Sequence, residues 1–167
     1  MDQFEIEQEM ERARRTFHEL IHRASAEDLR RLSDGTRWTN RQLLWHMVFG
    51  YLIVATLLPL VRTLGRLGYS RRFAATLNAV RRPFHAINFL GSSAGGQILR
   101  PATMANVLDR TIADLRRQLA TSSRDTLERR MHFPTEWDPY FAPTMSVLEL
   151  FHYGTQHFDH HRRQLTL

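Results

Sequence analysis

Cysteine and lysine are both absent from this chain of 167 residues. Without cysteine there is no disulfide framework, no thiolate metal ligand and no cysteine nucleophile, so any thiol in the chemistry must arrive on a substrate. Without lysine there is no Schiff-base chemistry. All 23 basic residues are therefore arginine.

Acidic residues are missing from a long internal stretch. None occurs between Asp34 and Asp109, an interval that holds nine arginines, whereas the rest of the chain carries more acidic residues than arginines. The net charge of +6 thus comes from one segment. The protein as a whole is therefore not polybasic, and we expect no nucleic-acid partner.

The length suits a single domain over residues 1–167. The chain begins with the acidic, polar residues MDQFEIEQEMER, unlike a signal peptide, and we expect a cytoplasmic protein. The run Leu43–Val61 is apolar and about as long as a membrane span. Because it contains a histidine, a glycine and a proline and its neighbours are amphipathic, we interpret it as a central bundle helix and rank a membrane span second.

Four segments have the periodicity of helices, and none has the sustained alternation of a strand. They cover residues 2–24, a stretch from Thr39 to about Leu58, a stretch after Pro101, and a stretch from Thr144 or Ser146 to about Leu165. Thr39 and Thr103 are candidate N-caps, and Pro59 is expected to kink or end the second helix. The first segment places these apolar residues on one face: Phe4, Met10, Ala13, Phe17, Leu20, Ile21 and Ala24. The pattern predicts an all-α four-helix bundle.

Residues 62–100 form a basic insert between the second and third helices of the bundle. Connections between bundle helices are normally about 2–8 residues long. Within the insert, Tyr69–Ala79 has a helical pattern and Phe84–Leu90 is apolar, whereas the sequence GSSAGG at 91–96 predicts a flexible turn. We expect this partly helical insert to fold over one end or one side of the bundle.

Three of the nine histidines are candidate metal ligands. His157 and His161 are four residues apart, so they share one face of the last helix, and His46 falls on the inward face of the second helix. Three imidazoles from two helices can close three positions around an ion and leave another for water or substrate. His18 and His22 have the same spacing but lie off the apolar stripe, so we place them at the surface. Spacing alone leaves hydrogen-bonded packing as an alternative.

Two stretches of sequence resemble the DinB/YfiT-like family of metalloenzymes. The tail HFDHHRRQ, residues 157–164, is similar to the family ending H-x-x-H-H-R-x-Q, and RWTNRQLLWH, residues 37–46, is similar to W-[ST]-x-x-[EQ]-L-L-x-H. The resemblance implies a four-helix bundle, commonly dimeric, with a metal held by His46, His157 and His161. It leaves His160 as a non-ligand. The long basic insert departs from compact members of the family.

The metal would be a divalent ion. Zinc is the first choice, and imidazole also suits nickel, iron and manganese. Ligand imidazoles usually donate their second N–H to a carboxylate or carbonyl, for which Glu149, Asp159 and Asp138 are candidates. Gln164 could brace the end of the bundle, and Tyr153 could donate to a bound oxyanion, although ordinary helix-surface polarity explains each of these residues as well.

The family resemblance implies a metal-dependent transferase that uses a low-molecular-weight thiol against a small electrophile. A hydrolase that activates water is the close variant, and no catalytic residue is assigned. The first alternative is a non-catalytic ligand-binding or stress-response module with a structural or vestigial metal. A peripheral membrane protein ranks last. Its lipid-facing residues would come from the insert: Arg62, Leu64, Arg66, Leu67, Arg71, Arg72, Phe73, Leu77, Arg81, Arg82 and Phe84.

Overall fold

The computed structural model describes residues 2–167, except for the side chains of residues 65–67. Within this part the chain is all-α apart from two short strands. In chain order the elements are α1 Gln3–Arg23, α2 Ala26–Arg30, α3 Asn40–Leu67, α4 Ser70–Ala79, α5 Arg81–Ile98, α6 Pro101–Ala120, α7 Arg124–Leu127, β1 Arg130–His132, β2 Thr144–Ser146 and α8 Val147–Arg162. The predicted all-α fold is confirmed.

The long helices α1, α3, α6 and α8 form the bundle. Helix α1 packs against α6 and α8, and α3 packs against the same two helices from the other side, so the four close around one core. The core side of α1 consists of Ile6, Met10, Ala13 and Phe17. Phe4 was predicted on this face, but its side chain is 68 % exposed. Ile6 takes the inward place because it lies four residues before Met10.

Local signals set the starts of the helices. Thr39 and Ser146 each accept a hydrogen bond from the backbone N–H three residues on and form a capping box. The cap was predicted at Thr39, and Ser146 was one of two predicted starts of the last helix. Thr103 was also predicted as a cap, but α6 begins two residues earlier with Arg100 at the N-cap. Pro101 sets this start because its fixed φ suits the first helical position, where no N–H partner is needed.

Helix α3 is the central helix of the bundle and continues past Pro59, so it does not end there. By length and composition alone the stretch Asn40–Leu64 could cross a membrane. Half of its apolar part is buried inside the protein. Its packing against α5, α6 and α8 gives that apolar surface a protein environment. Burial on several sides accounts for its apolar composition.

The insert is more helical than the sequence suggested. Residues 91–96, predicted as a flexible turn, lie inside α5, which packs along α3. The small residues Ser92 and Gly96 form the buried side of α5. A Cβ atom at Gly96 would lie 2.5 Å from the Cα of Gln42, so the glycine permits the close approach of two helices. Small residues at helical spacing, rather than a turn, explain this sequence.

The two strands form a short antiparallel ladder between α7 and α8. Arg130 pairs with Ser146, and His132 pairs with Thr144. Three residues per strand are too few to give a visible alternation, which is why no strand was predicted. The loop between them carries Trp137 and Asp138 back towards α3, where they line a cavity beside the histidines.

The membrane-surface hypothesis places eleven residues of the insert against lipid. The side chains of Arg66 and Leu67 lie outside the described residues. Elsewhere in the proposed surface, Phe84 is stacked on Trp137 with 3.7 Å between the ring centroids, and Arg81 forms an ion pair with Glu136. Phe84 is therefore engaged within the protein rather than facing outward with the arginines.

Candidate metal centre

The three predicted ligands come together where α3 crosses α8. His46 projects from α3, and His157 and His161 project from successive turns of α8. One ring nitrogen from each lies within 4.8 Å of the other two, so the group could hold a metal ion. The ring centroids are 4.5–4.8 Å apart. His160 lies outside this group, and its Nδ1 is 3.1 Å from the hydroxyl of Tyr140.

Two glycines allow the helices to come this close. A Cβ at Gly50 would lie 2.3 Å from Nδ1 of His157, and a Cβ at Gly154 would lie 2.9 Å from the ring of Tyr51. Both distances are too short for real atoms, so a side chain at either position would push α3 and α8 apart or displace a ring. Glycine at these positions therefore sets the spacing of the ligands.

Burial keeps the three imidazoles neutral. Loss of solvent lowers the pKa of His46 to about 3, with His161 and His160 adding to the shift. Burial also lowers the pKa of His161 to about 4, although the hydrogen bond with Gln164 acts in the opposite direction. The pKa of His157 is lowered well below its usual value, mainly by burial. A neutral imidazole has a free lone pair, which is the form that binds metal.

Hydrogen bonds at Nδ1 orient two of the rings. Nδ1 of His161 lies 2.7 Å from Oε1 of Gln164, and an amide oxygen only accepts, so this nitrogen donates and Nε2 keeps its lone pair. Nδ1 of His46 lies 3.0 Å from the hydroxyl of Ser92, which can accept its N–H in the same way. Such partners fix the tautomer and the direction of a ligand ring.

The spacing of the nitrogens fits a shared ion. The Nε2 atoms of His46 and His161 are 3.1 Å apart. Two nitrogens bound tetrahedrally to one zinc at about 2.0–2.1 Å would lie about 3.3 Å apart. When Nδ1 carries the proton on both rings, the two Nε2 lone pairs face each other, and one divalent ion between them can accept both. The residues present therefore fit the metal that the sequence suggested.

His157, the third ring, has the fewest hydrogen-bond partners of the three. Its Nδ1 is buried and has no hydrogen-bond partner among the described residues, and its Nε2 lies 3.9 Å from Oδ2 of Asp138. That carboxylate accepts a hydrogen bond from the hydroxyl of Tyr153 at 3.0 Å and one from the backbone N–H of Tyr140 at 2.9 Å. Burial raises the pKa of Asp138 despite these bonds. Asp138 is thus the carboxylate nearest the centre.

Aromatic rings enclose the histidines. Trp38 lies against His46, with 4.5 Å between the ring centroids, and stacks on Phe89 of α5. On the other side, a cavity of about 20 Å³ is walled by the Phe84–Trp137 stack together with other side chains. That volume holds about one water molecule. The remaining lining residues are His46, Ile53, Asn88, Asp138, Phe141, Tyr153 and His157.

The other predicted partners of the metal lie elsewhere. Glu149 caps the start of α8 and contacts Arg130 at 3.0 Å, and Asp159 faces Arg12 and Arg162 at the surface. Neither carboxylate reaches a ligand ring, because each is engaged by an arginine. Of the three predicted carboxylates only Asp138 lies at the cavity, and Gln164 braces a ligand ring as well as the end of the bundle.

Several of the remaining histidines have partners away from the centre. His18 contacts Asp109 at 2.9 Å, which agrees with the surface position predicted for it, and His152 contacts Glu9 at 2.7 Å. Nδ1 of His132 lies 3.1 Å from the hydroxyl of Ser70. His18 and His22 have the same four-residue spacing as His157 and His161, so this spacing alone does not identify a metal site.

Sequence reasoning missed Ser92 and most of the aromatic wall. Ser92 was hidden in the glycine-rich stretch, although its position four residues before Gly96 is a signal for a buried helix face. Phe84 and Trp137 lie 53 positions apart in the chain, and only the folded structure brings them into a stack. No spacing rule connects such residues.

The tail that follows α8 is tied to the start of α3. The side chain of Asn40 is fully buried, donates to the hydroxyl of Thr166 and accepts from its backbone N–H. The backbone N–H of Asp34 donates to the carbonyl of Gln164 at 2.8 Å. These bonds hold Gln164 where it can accept from His161.

The fold and the site together define a helical-bundle protein with a buried three-histidine centre built from two crossing helices. The family model of the DinB superfamily matches residues 9–165, so the chain belongs to that superfamily. No curated protein and no solved structure gives a significant match to the chain. The resemblance seen in the two histidine-bearing stretches is therefore confirmed at the level of the family.

Proposed function

We propose that this protein is a metal-dependent enzyme in which His46, His157 and His161 hold one divalent ion, with zinc as the first choice. The reaction is the transfer of a low-molecular-weight thiol to a small electrophile, with hydrolysis by water as the close variant. The observation that supports this most is the convergence of three ring nitrogens within 4.8 Å inside the bundle.

A bound divalent ion would supply Lewis acidity, lowering the pKa of a coordinated thiol or water so that the anion forms near neutral pH. The chain itself would orient and enclose the reactants. Ser92 and Gln164 direct two of the ligand rings, and Phe84 with Trp137 keeps bulk water from the cavity. Asp138 can accept a proton at Oδ2, because burial moves its pKa upward towards the working range of a general base.

Metal content of the purified protein tests the site. Wild type is expected to carry about one divalent ion per chain, and the double variant His157→Ala/His161→Ala is expected to carry almost none. A matched control is His18→Ala/His22→Ala, which removes two histidines of the same spacing from α1. Equal metal content in wild type and the His157/His161 variant would end the case for this centre.

The reaction class needs a separate experiment. Metal-loaded protein is mixed with a small thiol and a model electrophile, and thiol adduct is measured against hydrolysis product by mass spectrometry. Adduct that disappears in the His157→Ala/His161→Ala variant supports the transferase, and hydrolysis product alone supports the hydrolase. Metal binding without either product supports a non-catalytic module, which the small cavity of about 20 Å³ favours as the second candidate.

We also propose a cytoplasmic homodimer. Helix α5 exposes three large apolar side chains at helical spacing, Ile87, Leu90 and Ile98, which are 64–77 % exposed. A second copy covering this side of the insert would bury them. Light scattering coupled to size-exclusion chromatography gives the mass directly, and a monomer at all concentrations would contradict this part of the proposal.

A further inference from the structure

A polar cavity lies at the other end of α3, far from the histidines. It has a volume of about 420 Å³ and lies between α3, the end of α6 and the α7 region. Arg62, which lines it, is 16 residues beyond His46 on the same helix, or about 24 Å along its axis. The residues that line it carry guanidinium, amide or hydroxyl groups: Arg62, Thr63, Gln118, Thr121, Ser122, Ser123, Thr126 and Arg129.

The positive charge in this cavity is not neutralised by the protein. Within the described part of the chain, no carboxylate lies within 4.0 Å of a guanidinium nitrogen of Arg62 or Arg129. Two acidic side chains close in sequence to the lining residues have other partners: Asp114 accepts from Arg117 and Gln118, and Glu128 accepts from Arg124. Two permanent cations therefore share one concave surface without a counter-ion from the chain.

Both guanidinium groups are also incompletely hydrogen-bonded. Arg62 donates to the side chains of Gln118 at 3.1 Å and Ser122 at 3.3 Å, which are neutral acceptors, and its buried Nε–H has no partner. Nη1 of Arg129 is buried and has no partner among the described residues. Buried donors of a charged group are normally satisfied, and leaving them unpaired is unfavourable. An anion in the cavity would supply the counter-charge that these two guanidinium groups lack.

We propose that this cavity binds a phosphate group, either of a small phosphate ester or of a lipid headgroup. Two guanidinium groups and several hydroxyls around one concavity offer donors from more than one side. This arrangement suits an anion with three or four acceptor oxygens better than the two coplanar oxygens of a carboxylate. The site is separate from the histidine centre and does not depend on the reaction proposed there.

Calorimetric titration of inorganic phosphate into the full chain tests the proposal. Wild type is expected to bind saturably, and Arg129→Gln is expected to weaken binding at least tenfold, which equals about 1.4 kcal/mol. The guanidinium of Arg129 makes no hydrogen bond to the described residues, so this substitution removes none. Arg62→Gln is the second variant and is expected to weaken binding similarly.

Arg124→Gln provides the matched control. Arg124 lies close in sequence on α7, is exposed and is already paired with Glu128, so its loss is expected to leave phosphate binding unchanged. Equal weakening by Arg124→Gln would mean non-specific attraction and would overturn the site, as would the absence of saturable binding to wild type. Loss of binding in the His157→Ala/His161→Ala variant would place the anion at the histidine centre instead.

Two further arms identify the class of ligand. Succinate binding as tight as phosphate would overturn the preference for a phosphate group. Vesicles of phosphatidylcholine with and without phosphatidic acid separate the two sources: cosedimentation that requires phosphatidic acid and Arg129 supports a lipid headgroup. Phosphate binding without cosedimentation supports a small phosphate ester.

Discussion

The two ends of α3 place basic side chains in opposite physical situations. His46, near the start of the helix, is buried among other rings, and burial lowers its pKa to about 3, so the neutral ring offers a lone pair to a cation. Arg62, towards the other end, keeps its charge under all working conditions and faces a polar cavity. The same helix can thus serve a cation site and an anion site because imidazole gives up its proton on burial and guanidinium does not.

A side chain at Gly50 is expected to disrupt the histidine end of α3 and to leave the Arg62 end intact. Gly50→Ala puts a Cβ 2.3 Å from a ring atom of a buried histidine, so the ring or the helix must move. We expect a loss of about 3 kcal/mol in the free energy of unfolding, at the upper end for overpacked cores, together with loss of bound metal. Urea denaturation and metal analysis measure the two effects. Unchanged metal content would show that the His157 ring does not depend on this spacing.

Acidification separates the two ends because only one of them titrates. The pKa values of His46 and His161 are lowered by folding, so between pH 5 and 6.5 the unfolded chain binds more protons than the folded one. The free energy of unfolding of metal-free protein should therefore fall as pH drops from 6.5 to 5, by up to about 2 kcal/mol for each histidine. Denaturant titrations at several pH values give the slope.

A variant identifies the source of that slope. His46→Gln should make it shallower, and the variant His22→Ala, at an exposed residue of α1, should leave it unchanged. An identical slope in wild type and His46→Gln would mean that other groups control acid stability.

Removing the hydroxyl of Ser92 tests how much the orientation of the His46 ring contributes to metal affinity. Ser92→Ala takes away the partner of Nδ1 of His46, and loss of such a partner typically weakens metal binding by about 10-fold or more. Ser93→Ala is the matched control, because the neighbouring hydroxyl accepts from Trp38 and contacts no ligand. Metal affinity is measured by competition with a chelator of known strength. Equal metal affinities in the two variants would show that Ser92 does not contribute to metal binding.

The smallest effect is expected at the far end of α3. Gly68 ends the helix with φ of 71°, and a Cβ there would meet nothing within 4 Å. Gly68→Ala should therefore cost only the strain of a left-handed backbone, about 1 kcal/mol, with metal content unchanged. Thermal unfolding measures this loss, and a loss as large as that of Gly50→Ala would mean that the two ends are equally tightly constrained.

The ligand set could be predicted because helical periodicity is local information. His157 and His161 share a face by spacing alone, and the inward position of His46 follows from the apolar residues around it. The family resemblance then selected these three from nine histidines. The same local rules predicted the cap at Thr39, where a side chain and a backbone amide three residues apart satisfy each other.

The surroundings of the ligands could not be predicted, because they depend on contacts between distant segments. Ser92 reaches His46 only because α5 packs along α3, and the glycine-rich sequence around it suggested a turn instead. The aromatic cover joins Phe84 to Trp137 through tertiary packing, and the counter-ions of Glu149 and Asp159 are arginines on neighbouring elements. Pairings of this kind leave no periodic trace in the sequence.

The bonds between Asn40 and Thr166 have a consequence for heating. The segment after α8 holds Gln164, and Gln164 orients His161. Local melting of this segment would therefore release a ligand ring while the bundle stayed folded. Loss of the ion on warming should accordingly precede the main unfolding transition.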